Sequence, residues 1–305
     1  MKRRHFVLTS GVATVIAGAI GGLSTVAAAI RHPLGVQLFT VMNELERDFD
    51  GTLKALAQIG YREVETIGAH GRDPAVVRAA FDKAGLVSPS QHLMFGDLYQ
   101  NFLRFTRREI TAEDVGKAWD RDMAISRMQL IVAEAITRAK VMGQQYIVLQ
   151  KIWPAQFQTR ALLDQFCRAL DLAGDMCAQA GLTFCFHNHN DEFALVDGVV
   201  PYQVILESTN HKTVKMELDL YWTVRAKADP AQLLRRNPGR YVQVHVKDST
   251  PAGDFATVGK GVIDFPRLLP VAVRAGVKHF YVEYDLPDDS LGVVRQAYSY
   301  LRTLL

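Results

Sequence analysis

From Leu34 onward the chain alternates short apolar runs with stretches whose apolar residues recur at helical spacing. Leu34-Gly35-Val36-Gln37-Leu38-Phe39 reads as a first strand. The helix after it carries Phe49, Leu53, Leu56 and Ala57 on one face and stops at Gly60. Arg62 to Glu65 is a second strand, followed by a helix opening at Asp73-Pro74, a cap residue and an N1 proline in sequence. Leu86 to His92 is a third strand, weakened by Pro89. Residues 94–120 are an insertion rich in aromatic and charged residues, expected to lie over one end of the fold. Met128, Ile131, Val132, Ala135 and Ala139 then mark a helix up to Gly143.

The same rhythm continues to the C-terminus. Tyr146 to Gln150 is a fourth strand, and Leu163, Phe166, Cys167 and Leu170 mark the helix behind it. A fifth strand opens after Gly181 and runs out into Phe186-His187-Asn188-His189-Asn190-Asp191-Glu192-Phe193. Val214 to Asp219, Tyr241 to Asp248 and His279 to Glu283 are three more strands. Their helices fall near Pro230 to Arg236, Asp264 to Ala275 and Leu291 to Leu304. Eight strand–helix units in roughly 250 residues predict an α/β fold, a single (β/α)8 TIM barrel. An open doubly wound sheet would ordinarily bring a glycine-rich phosphate turn after its first strand, and none is present.

Composition adds one exclusion. With 35 basic against 32 acidic residues the formal net charge is only +3, too small for a nucleic-acid binder to be the default. The chain of 305 residues has three cysteines, Cys167, Cys177 and Cys185, without zinc-finger spacing, and these are expected to be buried thiols rather than a disulfide framework.

The first thirty residues differ from the rest. Arg3-Arg4 precedes an uncharged Ala-, Gly- and Val-rich stretch ending in Ala27-Ala28-Ala29. This is the layout of a twin-arginine export signal, so residues 1–29 are expected to be cleaved and 30–305 to form the mature domain. The expected location is periplasmic, with no stable membrane span after cleavage.

The chemistry collects at the strand ends, which build the active site of a barrel. Gln37, Glu65, His92, Gln150, His187 with His189, Glu217 with Asp219, His245 with Lys247, and Glu283 all fall there. Any one alone reads as a hydrogen-bonded mouth residue; their recurrence in unit after unit reads as a site. With side chains alternating across a strand, His187, Asp219, His245 and Glu283 are expected to face inward at similar height. Two imidazoles and two carboxylates suit Mn²⁺, Zn²⁺ or Fe²⁺ better than Mg²⁺.

His187-Asn188-His189-x-x-Glu192-Phe193, Glu217-Leu218-Asp219-Leu220-Tyr221-Trp222, His245-Val246-Lys247-Asp248 and Val282-Glu283 resemble the sugar phosphate isomerase/epimerase family, whose fold is the xylose isomerase-like TIM barrel. Gly35 to Thr40 and Gly259-x-Gly261-x-Ile263-Asp264 match it too, and the resemblance spans the mature chain. It implies a divalent metal held by strands five to eight, with Glu, Asp, His and Glu as the usual ligands. Asp219, His245 and Glu283 match the last three. The first falls on His187, where a Glu is more usual, with Glu192 or His189 as alternative donors. Trp222 stands where a His is common and reads as a platform for a sugar face.

The expected reaction is proton abstraction next to a carbonyl of a small-molecule sugar, through an enediolate. Glu283, His189 and His92 are the candidate bases. Gln37, Glu65, Gln150, Glu192, Glu217, Trp222 and Lys247 are candidate substrate contacts; the bland reading of Lys247 is a salt bridge to Asp248 or Glu217. Reprotonation would make the enzyme an isomerase or epimerase, and loss of a leaving group a keto-glycoside lyase or dehydratase. A non-catalytic periplasmic sugar-binding protein and a phosphodiester hydrolase are the readings from other classes. The first would tolerate loss of the ligands, and the second would want a basic face. A homo-oligomer is compatible with all of these.

Overall fold

The computed structural model describes residues 32–305, so the export-signal reading of residues 1–29 lies outside the described residues. Eight parallel strands form the barrel: β1 Leu34–Gln37, β2 Glu63–Ile67, β3 Val87–His92, β4 Tyr146–Leu149, β5 Thr183–His187, β6 Val214–Asp219, β7 Tyr241–Val246 and β8 His279–Val282. Each pairs with the next in sequence, and β8 pairs with β1 to close the ring.

Local chemistry explains where the elements begin and end. Aspartates 48, 73, 229, 264 and 289 cap helices by accepting a backbone N–H of the first turn. Gly143, at φ +72°, ends the helix Met128–Met142 in the left-handed conformation that a glycine adopts without strain. The first strand is shorter than the apolar run predicts. Gln37 Oε1 accepts the N–H of Phe39 at 3.0 Å and turns residues 38–41 into a 3-10 helix.

The third strand survives its proline. The register passes from Glu63↔Val87 to Glu65↔Ser90, so Ser88 and Pro89 together oppose one residue of β2. This bulge places the residue without an N–H where the ladder is already interrupted. The seventh strand ends at Val246, and Asp248–Ser249 leaves the barrel to pair antiparallel with Phe255–Ala256.

Outward-facing strand residues such as Val36, Val64, Ile147, Phe184, Leu218, Val244 and Phe280 are buried under the helices in the main core. The inside of the barrel is different. Its lower layer holds Tyr281 and the pair His279 Nδ1–Glu63 Oε2 at 2.8 Å. Above it lie the buried Glu65, Ser90, Glu217 and Gln243. A barrel filled with charge is costly to bury unless every group is paired, and here the pairing leads up to the mouth. The insertion folds as two helices, Leu98–Thr106 and Ala112–Asp122, the second with a Thr111–Asp114 capping box. All three cysteines are buried free thiols. Among the described residues no helix is long and apolar enough to cross a membrane.

Candidate active site

Two carboxylates organise the barrel interior. Glu65 Oε1 accepts Ser90 Oγ at 2.6 Å, and its Oε2 accepts Gln37 Nε2 at 2.9 Å. Glu217 Oε1 accepts Gln243 Nε2 at 2.9 Å. Three imidazoles close over them. His245 Nε2 lies 2.6 Å from Glu65 Oε2, His187 Nδ1 lies 2.9 Å from Glu217 Oε2, and His92 Nε2 lies 3.1 Å from Glu217 and 3.2 Å from Glu65.

The opposite edges of two of these rings face a second acidic group. His245 Nδ1 is 3.0 Å from Glu283 Oε2, and His187 Nε2 is 3.7 Å from Asp219 Oδ2. Asp219 is the N-cap of the short helix Leu220–Arg225. Its Oδ1 accepts the Trp222 N–H at 2.9 Å, which fixes the rotamer, while Oδ2 is buried without a hydrogen-bond partner. Donor atoms of Asp219, His245 and Glu283 all lie within 4.8 Å of one another, as do those of His92, His187, Glu217 and His245. An orphaned carboxylate oxygen among converging N and O donors fits a divalent cation. Glu192, the alternative donor in the sequence reading, belongs to neither group. Its Oε2 accepts the His189 N–H at 2.9 Å and its Oε1 is unpartnered.

Charge follows from this packing. Burial would lower the His92 imidazolium, but the Glu65 and Glu217 carboxylates outweigh it and push its pKa up to about 9. His245 is also raised, against burial, by Glu217 and Glu283. Burial and the neighbouring His245 bring His187 down to about 4. Burial pushes Asp219 up to about 7, opposed by Lys247. His189 is held well below the ordinary imidazole range by burial and then by the Lys151 charge.

Lys247 pairs with neither Asp248 nor Glu217. Its Nζ lies 2.7 Å from Glu283, 2.9 Å from Asp285 and 3.6 Å from Asp219. Asp248 instead accepts the N–H groups of Gly259, Gly261 and Ile263 and so ties down the Gly-x-Gly stretch.

Above these groups is a cavity of about 350 Å³. His92, Gln150, His187, His189, Trp222, Lys247 and Glu283 reach it, whereas Gln37, Glu65 and Glu217 are buried beneath its floor. Sequence reasoning missed Asp285, Lys151, Trp153 and Phe255 in its wall, and missed which insertion residues enter it, namely Phe102, Phe105, Ala112, Val115 and Trp119. Asp285 was within reach: it stands two residues beyond Glu283, at the period that faces the same way.

The family model for the xylose isomerase-like TIM barrel matches residues 53–304. An inosose dehydratase from Geobacillus thermodenitrificans (strain NG80-2) is 23% identical over 258 residues, which cover 78% of this chain and 82% of that one. A sugar phosphate isomerase/epimerase from Parabacteroides distasonis superposes with a TM-score of 0.72 at 22% identity, over 93% of this chain and 98% of that one. A 3-keto-D-glucoside 4-epimerase from E. coli does so with a TM-score of 0.62 at 16% identity, over 90% and 100%. At these identities the solved structures speak to the fold.

Proposed function

This chain belongs to the xylose isomerase-like TIM barrel family, and on that premise we propose that it is a divalent-metal-dependent sugar isomerase or epimerase working by proton abstraction next to a carbonyl. The observation that carries the reading is the unpartnered Asp219 Oδ2, set among His245, Glu283 and His187 at the base of the cavity. In this reading those four residues hold the metal, and Mn²⁺, Zn²⁺ or Fe²⁺ suits them better than Mg²⁺. When bound, the ion supplies Lewis acidity that makes the C–H beside a substrate carbonyl removable.

The chain's own residues do the rest. Of the three candidate bases, His189 is set apart from the carboxylate pairs that hold His92 and Glu283. Its Nδ1 is unpartnered, and its ring packs on Trp222 with centroids 5.1 Å apart. Its lowered pKa keeps it neutral and able to accept a proton. Glu283 is engaged by Lys247 and His245. His92 faces the same cavity from β3 as an imidazolium and is suited to return a proton. Gln150 and Lys247 would hold substrate oxygens, and Trp222 a ring face.

The test is deuterium exchange. Metal-loaded protein is incubated in D₂O with free and oxidised sugars, and incorporation is followed by NMR. Exchange that disappears in His189→Gln and Asp219→Ala supports the reading, and no exchange with any sugar overturns it. The inosose dehydratase likeness supports a second reading, elimination of water or of a glycoside leaving group from the same carbanion. An unsaturated product in the same experiment would select it.

We also propose that residues 1–29 export the chain to the periplasm by the twin-arginine route, on the strength of Arg3-Arg4 and Ala27-Ala28-Ala29. Arg3-Arg4→Lys-Lys is expected to leave uncleaved protein in the cytoplasm; normal export of that variant overturns the assignment.

A further inference from the structure

The cavity wall carries chemistry that the metal and proton steps do not use. Phe102 and Phe105, half-buried, enter it from the insertion, and Phe102 packs edge-on against Phe39 and Trp119. A separate aromatic group, Trp222 with Phe255, stands on the β6–β7 side and touches the donor cluster through His189 and Lys247. Half-buried rings facing an open cavity are surfaces that a ligand can cover.

Beside its charged pairs, this wall carries neutral polar side chains. Trp153 Nε1 and Trp222 Nε1 are buried donors without partners, and Gln150 Oε1 is a buried acceptor without one. A buried polar atom left alone is costly, and these three, closed off from solvent in this structure, gain a partner where a ligand opens the wall around them. A hydroxyl both donates and accepts and can answer all three, whereas a phosphate only accepts and leaves Gln150 Oε1 unanswered.

The positive groups are already matched. Lys151 pairs with Asp191 at 3.1 Å, and Lys247 with Glu283 and Asp285 at 2.7 and 2.9 Å. Among the described residues no arginine and no glycine lines the cavity, so these residues offer neither a guanidinium fork nor a glycine nest to an anion.

Resting on the sugar-enzyme reading above, we propose that the substrate is an uncharged glycoside of two rings: a reacting sugar held at Trp222 and the donor cluster, and a second ring, sugar or aryl, covered by Phe102 and Phe105. The insertion is then the specificity element for the second ring.

The test is equilibrium binding by calorimetry, without turnover. The probes are glucose, galactose and mannose, their 6-phosphates, their phenyl glycosides, and the disaccharides cellobiose and lactose. At least one phenyl glycoside or disaccharide is expected to bind about tenfold or more tightly than its parent sugar. The 6-phosphate is expected to bind no better than the parent. Phe105→Ala and Phe102→Leu, checked for folding by circular dichroism, are expected to bring the glycoside to within about threefold of the parent sugar. The phenyl and disaccharide arms tell an aryl second ring from a sugar one. Phosphates binding tightest, parent sugars binding as well as glycosides, or no probe binding at all would each overturn the proposal. Glycoside binding without deuterium exchange would keep this inference and remove the isomerase reading; exchange on free sugars without a glycoside preference would do the reverse.

Discussion

His187 gives its Nδ1 to the Oε2 of Glu217 at 2.9 Å, a contact sealed from solvent inside the barrel. The contact leaves Nε2 as the nitrogen that faces Asp219, 3.7 Å away. A buried carboxylate that accepts a hydrogen bond from one ring N–H fixes the tautomer and makes the other nitrogen a better donor to a metal. Glu65 stands in the same relation to His245, at 2.6 Å. Glu217→Gln removes the charge while keeping the shape. Metal affinity is expected to fall by about 10- to 100-fold. Because three imidazoles lose their counter-charge, stability is expected to fall by about 3 kcal/mol. Competition titration with a chromogenic chelator measures the first and urea unfolding the second. Unaltered affinity would leave Glu217 no role in orienting His187.

The donor set itself is tested by alanine variants. Asp219→Ala, His245→Ala and Glu283→Ala are each expected to lose bound metal and remain folded, since the helix-covered core does not rest on these side chains. For the fourth ligand the geometry separates two candidates. His187 Nε2 points toward the orphaned Asp219 oxygen, whereas Glu192 is occupied with the His189 N–H and lies outside the converging donors. His187→Ala is therefore expected to lose metal and Glu192→Ala to keep it. Plasma emission analysis of the two purified variants decides the matter, and a metal-replete His187→Ala protein would reverse the assignment.

Much of this is legible in the sequence, because side-chain alternation tells which way a strand residue faces. That rule places His187, Asp219, His245 and Glu283 inward. It does not tell height. Glu217 and Asp219 share a face two residues apart, roughly 7 Å along the strand, and this separates a buried floor from an open mouth. The strand register pairs His187 with Glu217, and Asp219 with His245. The four still converge as expected: donor atoms of Asp219, His245 and Glu283 lie within 4.8 Å of one another, and His187 Nε2 is 3.7 Å from Asp219 Oδ2. Gln37, Glu65 and Glu217 read as substrate contacts in sequence because nothing local distinguishes the layer below from the one above. The insertion was legible as a cover by its aromatic content, but which rings enter the cavity depends on how its two helices pack.

Gly35 marks the barrel's lower layer. A Cβ there would stand 2.5 Å from Cδ1 of Tyr281 and 3.2 Å from Cβ of Glu63. Tyr281 is fully buried and stacks on His279, which is held by Glu63, so its ring has little room to retreat. Gly35→Ala is expected to cost about 1–3 kcal/mol by overpacking, read as a lower urea midpoint with an unchanged slope. Metal content should be retained, because neither Gly35 nor Tyr281 supplies a donor atom to the cluster. Wild-type stability in this variant would mean that the Tyr281 ring is free to shift.

Glu192 gives the fold a dependence on pH that does not require metal. Burial raises its carboxyl from the ordinary 4.5 to about 7, although Lys151 and two backbone N–H groups pull the other way. Between those values the folded chain keeps a proton that the unfolded chain has released. The native state binds more protons there, so stability falls as pH rises through the window and levels off above it. The loss amounts to at most about 3 kcal/mol, because one pKa unit corresponds to roughly 1.4 kcal/mol. Glu192→Gln keeps an acceptor for the His189 N–H and cannot ionise. Relative to this variant, metal-free wild type is expected to lose stability steadily from pH 5 to about pH 7.5. Urea unfolding of both proteins across that range, with chelator present, measures the difference. Parallel curves would mean that the Glu192 carboxyl titrates in the folded chain as it does in the unfolded one, and that the buried pocket around it admits its charge without cost.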